Sequence, residues 1–256
     1  MILYRAEAGV ARITLNRPEK RNALNAGLIA TLHESLARSA RDADVKVVVI
    51  SGAGSDFCSG ADLSGLDHTS DAGVMSHLET ARAMADVFLA MRHHPRPVVA
   101  TVRGRALAGG CGLATACDLI LASESAQFGY PEVKIGFVPA MVMAILRRSM
   151  TEKRAFELVA TGEIITAPQA HAAGLINRVY PDSEFEVRSE EYIASLASKS
   201  ASAVALAKNL LYHMDGMRFD AALEAGVHGN ALARMTEDAR RGIERFVKKS
   251  ESTPPV

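Results

Sequence analysis

Residues 10 to 15, VARITL, alternate as a half-buried strand does, and Asn16-Arg17-Pro18-Glu19 breaks the run with turn chemistry. Leu24, Leu28, Leu32 and Leu36 then recur every four residues with Ile29 beside them, which predicts an amphipathic helix over 25–40 capped by Asn25. Val45 to Ile50, VKVVVI, is nearly continuous apolar sequence of the kind found in a parallel strand covered on both faces. Val98 to Val102 and Asp118 to Ala122 repeat that theme. Between them, 72–92 is rich in Ala, Met and Leu and reads as a helix, behind a polar Gly/Ser/Asp stretch at 64–73 expected to form a mobile loop. Strands alternating with helices predict an α/β architecture.

Beyond about residue 140 the strand signal fades. Helices are expected at 140–149, 151–160, 167–173, 185–212 and, in one or two pieces, 219–248, so the C-terminal quarter reads as a helical appendage. Its apolar positions Phe219, Leu223, Val227, Ala231 and Met235 step by four, a stripe that must pack on the core or on another subunit.

Composition narrows the classes. Across 256 residues, 29 Lys plus Arg balance 29 Asp plus Glu, which argues against a chain-wide basic surface for nucleic acid. With 48% apolar and 23% charged residues the chain can bury a sizeable core. Cys58, Cys111 and Cys117 form no C-x-x-C pair, which disfavours a disulfide framework or a zinc site and fits a reducing compartment. No stretch has the apolar length of a membrane span, and the N-terminus lacks a secretory pattern, so a cytoplasmic protein is expected.

Glycines gather in two places, each just after a strand: Ser51 to Leu63, and Arg103 to Leu113. Glycine permits tight turns and lets main-chain N–H groups approach a ligand. A dinucleotide fingerprint fails at Phe57, no Lys-Ser or Lys-Thr closes a phosphate loop, and there is no G-x-S-x-G elbow. What remains is a pair of structural turns or, if the N–H groups are used, an oxyanion hole.

Asn16 to Leu24, Phe57 to Leu63, Ala106 to Cys111, Cys117-Asp118, Phe128 to Glu132, Gly174 to Val179 and Glu244 to Lys249 occur in the order seen in the crotonase family of enoyl-CoA hydratases and isomerases, which the chain resembles along its whole length. The resemblance implies a ClpP-like spiral of β-β-α turns over 1–195 and a C-terminal helical trimerisation region over 196–256, assembled as a homotrimer or a hexamer of two trimers. It implies an acyl-CoA substrate, with coenzyme A as part of the substrate and no separate cofactor or metal. The thioester oxygen would sit between the N–H groups of Ala61 and Gly109. By family position Arg21, Ala23, Leu24, Ser59, Gly60, Asp62 and Leu63 line the pantetheine and phosphate path, and Phe246 and Lys249 cover the adenine, from this chain or a neighbouring subunit.

Hydratases of the family hold the attacking water with two glutamates. Glu132, after Tyr130-Pro131, matches the second, but the first should follow Cys111, where this chain has Gly112. One carboxylate suits a double-bond shift from position 3 to position 2, although a single Glu can also deprotonate water and return that proton to the α carbon. Asp62, Asp67, His77 and Glu79 are alternative sources of a second acid, and Asp62 reads more simply as fixing its turn. A further departure, Ala140-Met141-Val142-Met143, is either ordinary helix packing or an apolar wall of the acyl pocket. The run from Ala108 to Arg148 is similar to a branch labelled methylglutaconyl-CoA hydratase. Hydration of a 2-enoyl-CoA therefore ranks first, then isomerisation, then other enolate chemistry, with a non-catalytic acyl-CoA-binding protein as the rival of another class.

Weaker candidates remain. His93 and His94, in a Pro-rich turn, lack metal-ligand spacing and read as surface residues. Cys58 and Cys111 read as packing residues, and Arg147-Arg148 and Arg240-Arg241 as solvated faces.

Overall fold

The computed structural model describes residues 1–62 and 73–251, the side chains of 247–251 excepted. The loop expected at 64–73 therefore lies almost wholly outside the described residues, as do Leu63 and Asp67. The main sheet has the order β1-β2-β3-β4-β6-β9, built from β1 (Ile2–Glu7), β2 (Val10–Leu15), β3 (Val47–Gly52), β4 (Val98–Val102), β6 (Leu119–Ser123) and β9 (Arg178–Tyr180). β1 pairs antiparallel with β2; the other neighbours run parallel. A second sheet joins β5 (Arg105–Leu107), β7 (Gln127–Gly129) and β8 (Ile164–Thr166). Single bridges Leu24 to Ala61 and Cys58 to Ala106 carry that second layer on toward the N-terminal turn.

The helices are α1 (Ala26–Arg41), α2 (Val74–Arg92), α3 (Gly109–Thr115), α4 (Met143–Ser149), α5 (Glu152–Thr161), α6 (Ala167–Ala172), α7 (Phe185–Ala197), α8 (Ala201–His213), α9 (Phe219–Met235) and α10 (Glu237–Glu251). One motif repeats along the first part of the chain: a long strand, a short second-layer segment, then a helix. β4, β5 and α3 show it plainly, as do β6, β7 and α4, which is the repeated β-β-α turn of a spiral.

Strand alternation sorts the core onto two faces. Val48, Ile50, Ala100 and Val102 join the large cluster with Leu28, Leu32 and Leu36 of α1 and Val87 and Met91 of α2. Val47, Val49, Val99 and Leu121 pack under Phe185 and Ile193 of α7. Both faces are covered, so the strands are continuously apolar.

Several expectations change. β8 and β9 lie beyond residue 140, each of three residues, too short to carry a visible alternation. α4 begins at Met143 rather than 140, after the irregular turn that follows Pro139. The helix expected over 185–212 is two: α7 ends at Ala197, and the Ser200 side chain accepts the Ala203 N–H to start α8 afresh. α8 is fastened to the core by Lys208, whose Nζ donates to Asp118 at 2.7 Å and to the carbonyls of Met91 and Arg96. α10 lies mainly on α8 and α9. The stripe on α9 does not pack on the chain's own core: Phe219, Leu223, Val227 and Met235 are exposed, Phe219 by 82%.

Candidate active site

Three backbone segments meet at the front of α3. The Ser59 N–H donates to Arg21 O at 3.0 Å, the Leu24 N–H to Gly60 O at 2.7 Å, and the Asp62 N–H to Leu24 O at 2.9 Å. This zips the 21–24 turn to the 59–62 turn. On the other side Cys58 N–H donates to Arg105 O and Leu107 N–H to Cys58 O. Asn22 locks the turn from within, its side chain donating to Ala53 O and Asp56 O and accepting from the Arg17 N–H. Asp62 pairs with Arg17 at 2.8 Å, and that guanidinium also donates to Ala23 O, in keeping with Asp62 as a turn-fixing residue.

The Ala61 and Gly109 amides lie close together. A Cβ placed on Gly109 would lie 3.8 Å from Ala61 N, and one on Gly60 would lie 3.4 Å from Gly109 N. Among the described residues neither N–H donates to an acceptor. Gly109 opens α3, where the first N–H groups have no intrahelical partner. The backbone here is held off its comfortable regions. Arg21, Asn22 and Ala108 all have positive φ, at 49°, 56° and 51°, conformations that cost on the order of 1–3 kcal/mol each and collect at functional sites. The Ala108 N–H, held by Gly129 O at 2.9 Å, is part of what fixes that strain.

Glu132 lies in a 3₁₀ turn, Pro131–Ile135, entered through the proline. Pro131 and Glu132 are half-buried, and Glu132 Oε2 is buried with no hydrogen-bond partner among the described residues. Burial raises its pKa above the ordinary carboxylate value. Behind it Tyr130 is wholly buried, its hydroxyl 2.8 Å from Thr115 Oγ1 at the far end of α3.

The position of the missing glutamate is closed. Gly112 is buried, and a Cβ there would come within 2.6 Å of Val142 Cγ2 and 3.5 Å of Phe88 Cζ. Val142, itself 5% exposed, occupies the volume that a longer side chain at 112 needs. The two departures noted in the sequence are thus one packing arrangement. Met141, next to Val142, is partly exposed and lines a cavity of about 580 Å³ with Phe88 and Ile145.

Of the expected ligand-lining residues, Ala23, Leu24, Ser59, Gly60 and Asp62 lie together, with Leu24 Cδ1 3.5 Å from a Cβ built on Gly109, while Arg21 beside them points its side chain to solvent. Phe246 is 76% exposed on α10, and the Lys249 side chain lies outside the described residues. His77 and Glu79 are exposed on α2. His94 is a correction: it is 4% exposed, bonded to Ser39 Oγ at 3.0 Å, and burial helped by nearby Lys208 lowers its pKa to about 4. Burial pushes the Cys58 thiol up to about 12 and Cys111 to about 11, so neither is a ready nucleophile. Among the described residues no group of three or more His, Cys, Asp or Glu is placed to hold a metal ion. The cluster around Lys208, Tyr212 and Asp118 escaped the sequence reading, since nothing in the pattern pairs residues ninety positions apart.

Comparison with known proteins agrees with this architecture. Residues 5–253 match the model of the enoyl-CoA hydratase/isomerase family. The 2,3-dehydroadipyl-CoA hydratase of Escherichia coli is 36% identical over 94% of this chain and 92% of its own. Human mitochondrial enoyl-CoA hydratase domain-containing protein 3 is 34% identical over 94% of this chain and 79% of its own. The crystal structure of an enoyl-CoA hydratase from Mycobacterium smegmatis superimposes with a TM-score of 0.92 at 31% identity, covering 97% of this chain and 96% of the other. With its β-β-α spiral, paired glycine turns and match along nearly the whole chain, the protein belongs to the enoyl-CoA hydratase/isomerase family.

Proposed function

We propose that the chain hydrates a 2-enoyl-CoA thioester with Glu132 as its one acid/base. The observation that carries this reading is the half-buried Glu132 carboxyl, raised in pKa and without a hydrogen-bond partner at Oε2 among the described residues. A carboxyl left in that condition is available to a substrate or a water. In the proposed reaction Glu132 takes a proton from water as its oxygen bonds to C3, the π electrons move onto the thioester oxygen, and Glu132 returns the proton to C2 as the enolate collapses. The Ala61 and Gly109 N–H groups stabilise the oxyanion, each such donor lowering the barrier by about 3 kcal/mol. The first-turn amides of α3 add a favourable dipole. Hydratase names among the relatives support this direction of chemistry.

The closed space at Gly112 favours a second reading, the shift of a 3-enoyl-CoA to the 2-enoyl form, which needs one base and no water. Incubation with each thioester separately in ¹⁸O-water separates them. Heavy oxygen in a 3-hydroxyacyl product supports hydration; a moved double bond without oxygen uptake supports isomerisation. Absence of both, together with tight thioester binding, would leave a binding protein.

In the same reading Arg21, Ala23, Leu24, Ser59, Gly60 and Asp62 flank the coenzyme A path, with Gly112, Pro131 and Met141 at the acyl end and no cofactor beyond the substrate. The exposed α9 stripe supports assembly as a trimer or a hexamer, in which Phe246 and Lys249 would reach the adenine of a neighbour. Sedimentation as a monomer would overturn that part. Three free cysteines support a reducing, cytoplasmic setting. No helix among the described residues is long and apolar enough to cross a membrane.

A further inference from the structure

Resting on the acyl-thioester reading, we propose that the cavity between α2, α3, α4 and α8 receives the distal end of the acyl chain, and that Arg92 and Arg148 select a thioester carrying a terminal carboxylate. The cavity measures about 580 Å³, and its lining joins apolar residues such as Phe88, Met141 and Ile145 to the charged Arg92, Arg148, Asp118 and Asp215. Phe88 links the cavity to the neighbourhood of α3: it lines the cavity, and its Cζ is 3.5 Å from where a Gly112 Cβ would be. Residues four apart share a helix face, so Phe88 leads to Arg92 along α2 and Ala144 leads to Arg148 along α4. Four residues advance about 6 Å along a helix axis, so each arginine backbone position lies roughly one turn beyond its apolar partner.

The charged part of the lining carries more cation than anion. Arg92 and Arg148 both donate to one oxygen of Asp215, and Arg92 also stacks on the Tyr212 ring at 4.0 Å from its centroid. Asp118, the other acid on the wall, is already taken by Lys208 Nζ at 2.7 Å, the Val98 N–H at 2.6 Å and the Tyr212 hydroxyl at 2.6 Å. Counting Lys208 behind it, three cations face two carboxylates. A guanidinium offers five N–H donors; the described bonds use one of them in Arg92 and two in Arg148. A second carboxylate entering past the apolar lining would find donors and a net positive field, whereas a methyl terminus would only strip water from charged groups.

The test is calorimetric binding of two saturated probes of equal length, adipoyl-CoA and hexanoyl-CoA. Hydrogen bonds to charged groups predict that adipoyl-CoA binds about tenfold tighter or more to the wild-type chain. Arg148→Met should collapse that ratio, and Arg148→Lys, which keeps the charge, should retain part of it. Equal affinity of the wild-type chain for the two probes would overturn the proposal without any variant. A ratio that survives both Arg148→Met and Arg92→Met would overturn it as well. Neither probe needs turnover, so the two readings fail separately. A high ratio with no hydration of either unsaturated analogue fails only the reaction, and equal affinity with hydration intact fails only the carboxylate selectivity.

Discussion

Two places beside α3 treat a potential acid in opposite ways. At the Tyr130–Glu132 turn a carboxyl is kept, half-buried and raised in pKa, although no group among the described residues satisfies its buried oxygen. At Gly112 the side chain is gone and Val142 is packed into the space. The first arrangement costs stability and leaves a reactive group; the second gains apolar packing and removes one. The contrast teaches that the two positions are asymmetric, one keeping a carboxyl and the other packed with apolar side chains. In the proposed reaction both proton transfers therefore fall to Glu132.

The largest expected effect comes from the side that kept its acid. Glu132→Gln should lower kcat by about 10²–10⁴-fold while thioester affinity, followed by calorimetry, stays close to wild type. Next comes the amide pair between the two sides. Gly60 has φ +102°, and a Cβ there would lie 2.7 Å from Ala108 Cβ and 3.4 Å from Gly109 N. Gly60→Ala should misplace the hole and cost roughly 10²–10³ in kcat. Gly136→Ala is the control: its φ is also positive, but its Cβ would meet nothing within 4 Å, so stability should fall with kcat little changed.

On the closed side, Gly112→Glu should destabilise the fold by at least the roughly 1–3 kcal/mol of overpacking, read as a lower urea midpoint. Adding Val142→Gly should recover part of that loss by reopening the space. If Gly112→Glu alone were as stable as wild type, the volume argument would be wrong.

The smallest effects are in pH. Glu132 binds its proton more tightly folded than unfolded, so its ionisation makes stability fall as pH rises from the ordinary Glu value through its raised one. Glu132→Gln should flatten that slope. His94 has the opposite sign. Unfolded it takes a proton near pH 6.5 and folded only near about 4, so stability should fall as pH drops through that window, by about 1 kcal/mol over the first unit. Urea midpoints of wild type and His94→Gln at pH 7 and 5.5 measure it.

Much of the fold is legible in the sequence for a physical reason. β2, β3, β4 and β6 carry apolar runs long enough to declare themselves, and α1 has an unbroken four-residue leucine step with its Asn25 cap. β5, β7, β8 and β9 have three residues each and owe their pairing to the turns around them. The break at Ser198–Ser200 is a local capping choice that uniform helical sequence on both sides conceals. At the site, Glu132 and the two glycine turns are recognisable by resemblance. The contact of Gly112 with Val142 is not, because it joins residues thirty positions apart, and neither is the burial of His94, which depends on Ser39 across the core.

The central claim is that one carboxyl performs both proton transfers. The most direct measurement follows two half-reactions in wild type and Glu132→Gln: addition of water to C3 of a 2-enoyl-CoA, and exchange of the C2 hydrogens of its 3-hydroxyacyl product in heavy water. The account predicts that both run in the wild-type chain and vanish together in the variant. Exchange at C2 that persists in Glu132→Gln would place a second acid/base elsewhere and contradict it.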